Sequence, residues 1–380
     1  MIADYETLKL VWWVLVGVLL IGFAITDGFD MGVGALLPWL GRTDNERRVM
    51  INSVGPHWDG NQVWFITAGG ALFAAWPMVY ATAFSGLYTA LIITLLALYL
   101  RPVGFDYRSK LDNPAWRQRW DWALFVGSSI PPIIFGVAFG NLFLGLPFDM
   151  DAYLRSHYDG GLFGLLRPFP LLCGVLSLSM LVMHGGVWLG MKTEGDLRKR
   201  ANKTTVIAAV VTSILFGIGG AWIAYGINGM TILSMGDPNG VVSPLSKTVQ
   251  LNVGGWLQNF AHYPILAAVP LLGLGMPFIT AIFVSRQREG LGFVTSSLAV
   301  ASIIGTAGLA LFPFVMPSSL NPDHSLTMWD ATSSAHTLSV MLIVACVFVP
   351  IVLGYTIWSY AKMWGRMSTQ HIEENSHSLY

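Results

Sequence analysis

The fold class this sequence predicts is an all-α integral membrane protein, and three observations carry that prediction. Hydrophobic residues make up 54% of the 380 and charged residues only 11%, whereas a soluble domain is nearer a quarter charged. Apolar runs of spanning length recur along the chain. Lys and Arg gather in alternate connections, as they do in the cytoplasmic loops of membrane proteins. The 21 basic and 21 acidic residues cancel, which leaves no electrostatic footprint for nucleic acid. Cys173 and Cys346 lie far apart in apolar stretches and supply neither a disulfide framework nor a CxxC metal site.

Taken in order, the candidate spans are 8–27, 50–76, 79–100, 121–144, 164–190, 204–227, 264–284, 291–314 and 336–361. The first begins acidic (Asp4, Glu6), has no small-residue cleavage site after it, and runs into TDGFDMGVGALLPWL. That is a retained span rather than a cleaved signal. The second is weak, because INSVGPHWDGNQVWF is polar and only ITAGGALFAAW is clearly apolar. Charge decides that it crosses. With nine spans, the connections at 41–49, 101–120 and 191–203, the stretch after span seven and the tail hold 17 of the 21 basic residues. The other side holds only Lys9, Arg155, Arg167 and Lys247. Without span two, the five charges of 101–120 would move outside and the alternation would fail. The expectation is therefore an N-terminus outside (periplasmic) and a C-terminus in the cytoplasm.

Tryptophans agree. Trp12, Trp13, Trp76, Trp222 and Trp329 fall near outer ends, and Trp39, Trp116, Trp120, Trp122, Trp188, Trp358 and Trp364 near inner ends, as an aromatic belt requires. Trp58 and Trp64 depart from it, inside span two. The outer connections 145–163 and 228–263 are rich in Gly, Pro and Asp and look like caps. No internal repeat or second soluble domain is evident, so 1–380 is expected to be one polytopic membrane domain.

Ionisable groups at membrane depth cost about 2.5–3.5 kcal/mol each on insertion scales, and they usually mark a path or a site. Here they gather. Asp27 and Asp30 are i, i+3, on one helix face, and are expected to close span one at its cytoplasmic end. Asp59 is placed inside span two, nine residues after Met50, beside His57, Asn61, Gln62 and Trp64. Asp106 follows span three. One reading is a proton path of carboxylates and water leading in from the cytoplasm. The other makes Asp27, Asp30 and Asp106 helix caps or partners of Arg101 and Arg108. Gly28, Gly32, Gly34, Gly55 and Gly60 permit close helix approach or kinks.

A histidine within the membrane could ligate haem iron. His184, in SMLVMHGGVWLG, is the one well inside an apolar run, although such a residue more often bonds to a neighbouring helix. His57 could bond a carboxylate or, like His184, ligate haem. No CxxCH occurs, which excludes covalent c-type haem. LFPFVMPSS (311–319) ends span eight as either a fixed loop or a docking surface for another subunit. Asp330 or Ser333 is expected to cap span nine. GVAFG (136–140) and GVWLG (186–190) fit small-xxx-small helix packing. No Walker loop, HExxH or GxSxG occurs.

TDGFDMGVG (26–34), INSVGPHWDGNQVW (51–64), RPVGFDYRSK (101–110), LFPFVMPSS, LTMWDATSS (326–334) and the terminal NSHSLY resemble subunit II of the cytochrome bd quinol oxidases. The strings are long and compositionally odd, and they keep the family's order from residue 2 to 380. The resemblance implies a bacterial inner-membrane complex that oxidises quinol and reduces O2 to water. It implies nine helices as two four-helix bundles plus a peripheral helix. The two haems b, the haem d and the quinol site would belong to a larger subunit I, with no cofactor or metal bound by this chain. Subunit I would be its heterodimer partner, with small single-helix accessory subunits as further partners. Charge separation would come from proton uptake rather than pumping. The family attributes part of that uptake to acids matching Asp59, Asp27, Asp30 and Asp106, with Tyr380 at the cytoplasmic joint. A free-standing proton-coupled transporter is the alternative, and would need a mid-membrane substrate site and inverted repeats. A haem-binding electron carrier is the third reading.

Overall fold

The computed structural model describes residues 3–241, 243–368, 370 and 372. Among the described residues thirteen α-helices carry the chain. They are α1 (Tyr5–Leu40), α2 (Asp44–Val54), α3 (Trp58–Ala75), α4 (Pro77–Gly86), α5 (Tyr88–Tyr107), α6 (Pro114–Leu144), α7 (Leu162–Leu165), α8 (Pro168–Lys192), α9 (Gly195–Gly226), α10 (Gln258–His262), α11 (Ala268–Ser285), α12 (Glu289–Leu311) and α13 (Ala335–Lys362). Among the described residues, eight are long and apolar enough to cross a membrane, and a ninth crossing results if the bent pair α3–α4 counts as one span.

Local chemistry sets the boundaries. Asp4 accepts the Thr7 N–H at the start of α1, and Thr43 and Glu46 close a capping box on α2. Asn113 caps α6, with Pro114 at its first position. The cap of α13 is Ser334, not Asp330 or Ser333. Asp330 is drawn instead to the Thr327 N–H and to Lys247, and Ser333 donates to the Ala74 carbonyl.

Two breaks alter the expected spans. Pro56 lacks an N–H and its ring opposes a continuing helix, so the polar stretch 50–57 does not join the span. Its first half forms the end of α2, and the crossing helix starts only at Trp58. Trp76 precedes Pro77 and is pushed out of the helical region, with φ −132° and ψ 71°. The chain turns there by 119°, and α4 leaves at an angle to α3. The third crossing helix is consequently Tyr88–Tyr107 rather than 79–100. Helix α1 also runs ten residues past Asp30, because MGVGALLPWL stays apolar. Asp27 and Asp30 therefore lie within the helix, not at its end.

Helix α1 packs on α3, α6 and α8; α8 packs on α6, α9 and α12; and α11 lies between α9 and α12. Small residues make the closest approaches. A Cβ on Gly32 would stand 2.0 Å from the Leu181 carbonyl oxygen, and Gly136 lies against Cys173 and Gly174. Packing of this kind, rather than the hydrophobic effect, holds helices together in lipid. By contrast α13 touches only α1 and α3 appreciably, and its most apolar stretch has no buried residue.

The connections at the Tyr5 end of α1 form three short hairpins. Strand β1 (Phe148–Met150) pairs with β2 (Ser156–Tyr158), β3 (Asn228–Ser234) with β4 (Thr248–Val253), and β5 (Phe314–Met316) with β6 (Leu326–Thr327), all antiparallel. These two-stranded pieces, with three short 3-10 turns and one isolated bridge between Leu146 and Ser318, interrupt an otherwise α-helical chain among the described residues. They cover the helix ends around a core of Leu8, Trp12, Trp76, Phe148, Met316 and Leu338. LFPFVMPSS packs inward: Met316 joins that core, Phe314 joins a neighbouring one with Phe143 and Trp256, and buried Ser318 donates to the Phe148 carbonyl. The segment thus clamps its own fold through these residues, while Phe312, Pro313 and Val315 stay half-buried and Ser319 is exposed.

Candidate functional site

The acids gathered by the sequence divide in the structure. Asp27 and Asp30 are buried, at 0% and 1% exposure, whereas Asp59 and Asp106 are exposed. Asp59 sits in the first turn of α3, because the helix starts late. Asp106 sits in the last turn of α5.

Asp27 meets Arg101 of α5 in a two-pronged ion pair. Nη1 donates to Oδ2 at 2.9 Å and Nη2 to Oδ1 at 2.5 Å. Both side chains are fully buried, and the Trp58 ring lies 6.0 Å from the guanidinium. Each charge offsets part of the cost of burying the other. Thus the partnership with Arg101 is real for Asp27 but not for Asp106.

Asp30 takes a different partner. The Asn61 amide donates to its Oδ2 at 2.8 Å. The Tyr360 hydroxyl of α13 donates in turn to the Asn61 Oδ1 at 2.7 Å. The His57 ring stacks on Tyr360, with centroids 4.0 Å apart and planes at 3°, so His57 meets an aromatic face rather than a carboxylate. The other Asp30 oxygen, Oδ1, is buried without a partner among the described residues, as is Arg101 Nε. Four helices (α1, α3, α5 and α13) thus close on one small polar interior. Such a site suits groups that must stay hydrated by a few trapped waters in otherwise apolar surroundings.

Of the other predicted residues, Gln62 is half-buried and the Trp64 ring packs on Gly22. Tyr380 lies outside the described residues. His184 is fully buried with both ring nitrogens engaged, one 2.8 Å from Ser296 Oγ and the other 2.9 Å from the Ile25 carbonyl. It is therefore a helix-to-helix tie with no nitrogen left for iron. Among the described residues no group of three metal-ligating side chains converges.

Tyr360 was missed by sequence reasoning, because a Tyr near the end of an apolar span looks like an interfacial anchor. A second network was also missed. Arg108 bonds to Asp121 and Asp44, Arg47 to Asp121, and Arg117 to Asp44. It ties α2, α5 and α6 together at the end opposite the hairpins. A separate cavity of 640 Å³ lies between α6, α8, α9, α11 and α12, lined by apolar side chains such as Phe139, Phe216, Leu274 and Ile303.

A bundle of helices long and apolar enough to span a membrane, enclosing a paired acid and arginine with a second acid held beside them, defines a class: an integral membrane protein with charged groups built into its interior. Comparison with known proteins narrows the class. Residues 8–363 match the family model described as cytochrome bd terminal oxidase subunit II. The chain is 56% identical over 377 residues to cytochrome bd-I ubiquinol oxidase subunit 2 of Escherichia coli K12, covering 99% of this chain and 100% of that one. It is 34% identical over 357 residues to cytochrome bd ubiquinol oxidase subunit 2 of Bacillus subtilis, covering 94% and 96%. A chain of the bd oxidase structure from Geobacillus thermodenitrificans superposes with a TM-score of 0.68 at 14% identity, covering 94% and 99%, which speaks for the fold alone. The chain belongs to the cytochrome bd oxidase subunit II family.

Proposed function

We propose that this chain is the second subunit of a ubiquinol oxidase of the aerobic respiratory chain, bound to a larger subunit I that holds two haems b, the haem d and the quinol site. Identity to the E. coli subunit along virtually the whole of both chains is the observation that carries this. The helices divide into two groups of four (α1, α3, α5, α6 and α8, α9, α11, α12), with α13 peripheral. The end bearing Arg101 and Arg108 faces the cytoplasm and the hairpin end faces outward, which the distribution of Lys and Arg supports. The test is native purification from the bacterial inner membrane with a visible spectrum and identification of the subunits. Purification of this chain alone with stoichiometric haem would refute the assignment.

Within that complex the buried acids help to bring cytoplasmic protons to the site where O2 is reduced, so that turnover charges the membrane without a pump. Asp59 and Asp106 stand at the surface, where a carboxylate can collect protons, and Asp30 stands inside with one free oxygen. Tyr380 belongs to the same proposed route. An amide of the same shape cannot titrate, so Asp30→Asn should slow quinol-driven O2 consumption per haem d. Equal rates across the pH range would remove Asp30 from the route.

A further inference from the structure

We propose that Tyr360 and Asn61 are positioning residues that fix which oxygen of Asp30 carries the travelling proton. The inference rests on the reading of Asp30 as a proton carrier and adds a mechanism to it. Asn61 is a two-faced side chain, with an acceptor on one side and donors on the other. Left alone it could turn either face to Asp30. An ionised Asp30 accepts only and so draws Nδ2 to its Oδ2 at 2.8 Å, and the Tyr360 hydroxyl locks that orientation by donating to Oδ1 of the amide at 2.7 Å. The N–H donor already on that carboxylate oxygen lowers its basicity, so a proton adds preferentially at Oδ1, which has no partner among the described residues.

The neighbours from each packed element fit this role. Asp27, one turn earlier on α1, has both oxygens engaged by Arg101 of α5 and serves as a fixed counter-ion rather than a carrier. His57 lies flat on Tyr360 and steadies the phenol. A proton arriving from water forms an O–H bond at Oδ1 and leaves from the same atom to another water. The carboxylate is regenerated and no electrons move.

The experiment uses the intact oxidase complex. Infrared difference spectra identify the carboxyl C=O band that disappears in Asp30→Asn. Tyr360→Phe keeps the ring over His57 and removes only the hydroxyl. Haem content should stay at the wild-type level, the Asp30 band should shift, and turnover per haem d should fall roughly two- to tenfold. Asn61→Leu should move the same band further. A band unmoved by both substitutions overturns the proposal, as does the lack of any Asp30-dependent carboxyl band at every pH. The underlying reading is judged separately: if Asp30→Asn turns over at the wild-type rate, it is the proton-carrier reading that fails.

Discussion

Replacing Arg101 by Met would leave the Asp27 carboxylate buried without its counter-ion. Both side chains are fully buried and joined by two hydrogen bonds, so no correction for solvent screening applies. With charge centres about 4 Å apart and an effective dielectric constant of about 20, the lost attraction is about 4 kcal/mol. That agrees with the roughly 3–5 kcal/mol typical of breaking one side of a buried pair. Asp30, one turn away, makes the lone charge less welcome still. Asp27→Leu should cost a similar amount, by stranding the arginine. The double replacement removes both charges and should recover most of the loss, because apolar pairs of similar volume replace buried ion pairs at little net cost. The assay is unfolding of the purified complex in mixed micelles of mild detergent and SDS, followed by the haem absorbance. A coupling free energy of about 3 kcal/mol or more is expected from the cycle. If the two single losses simply add in the double variant, Arg101 and Asp27 do not stabilise each other and the site has been misread.

Further outcomes follow from other features. Asp59 makes no hydrogen bond or ion pair within the described chain, so Asp59→Asn should change stability by less than about 0.5 kcal/mol. Its turnover per haem d should nevertheless fall, and fall further at high pH, where protons are scarce; oxygen-electrode rates across pH check this. Gly32→Ala would place a methyl group 2.0 Å from the Leu181 carbonyl and should cost about 1–3 kcal/mol by forcing α1 from α8, measured in the same micelle titration. In the β1–β2 hairpin, the Arg155 backbone N–H and side chain hold Asp151 down to about 2. A depressed carboxylate stabilises above its unfolded value of about 3.9 and loses that effect as pH falls through 2. Amide exchange across 151–158 should therefore be protected alike from pH 8 to about 5 and loosen below about 4. In Asp151→Asn that acid step should vanish.

Much of this was written in one dimension. A window of apolar residues flanked by alternating charge is a local property, and it located eight crossings and argued for the bent one. The acids of 26–34, 51–64 and 101–110 were conspicuous because charge is rare at such depth. What stayed hidden depends on two chains of bonds closing in space. Nothing in the spacing tells that Asp27 takes Arg101 while Asp30 takes Asn61, since both acids share one face. Tyr360 looked like any belt aromatic. The breaks at Pro56 and Pro77 were visible as prolines, but an averaging window runs over them, and only the helix geometry shows that 50–57 falls outside the span.

The bend at Trp76 also bears on the membrane itself. Helix α3 has 18 residues, about 27 Å at 1.5 Å per residue, which is less than a hydrocarbon core of about 30 Å. Helix α1 has 36 residues and reaches about 54 Å. A span this short is accommodated by local thinning of the bilayer, by snorkelling of flanking residues or by association with a neighbouring subunit. The short helix is also the one whose first turn carries Asp59 and whose second carries Asn61. A proline at the far end of the span thereby sets the length of helix that separates the bend from Asp59 and Asn61.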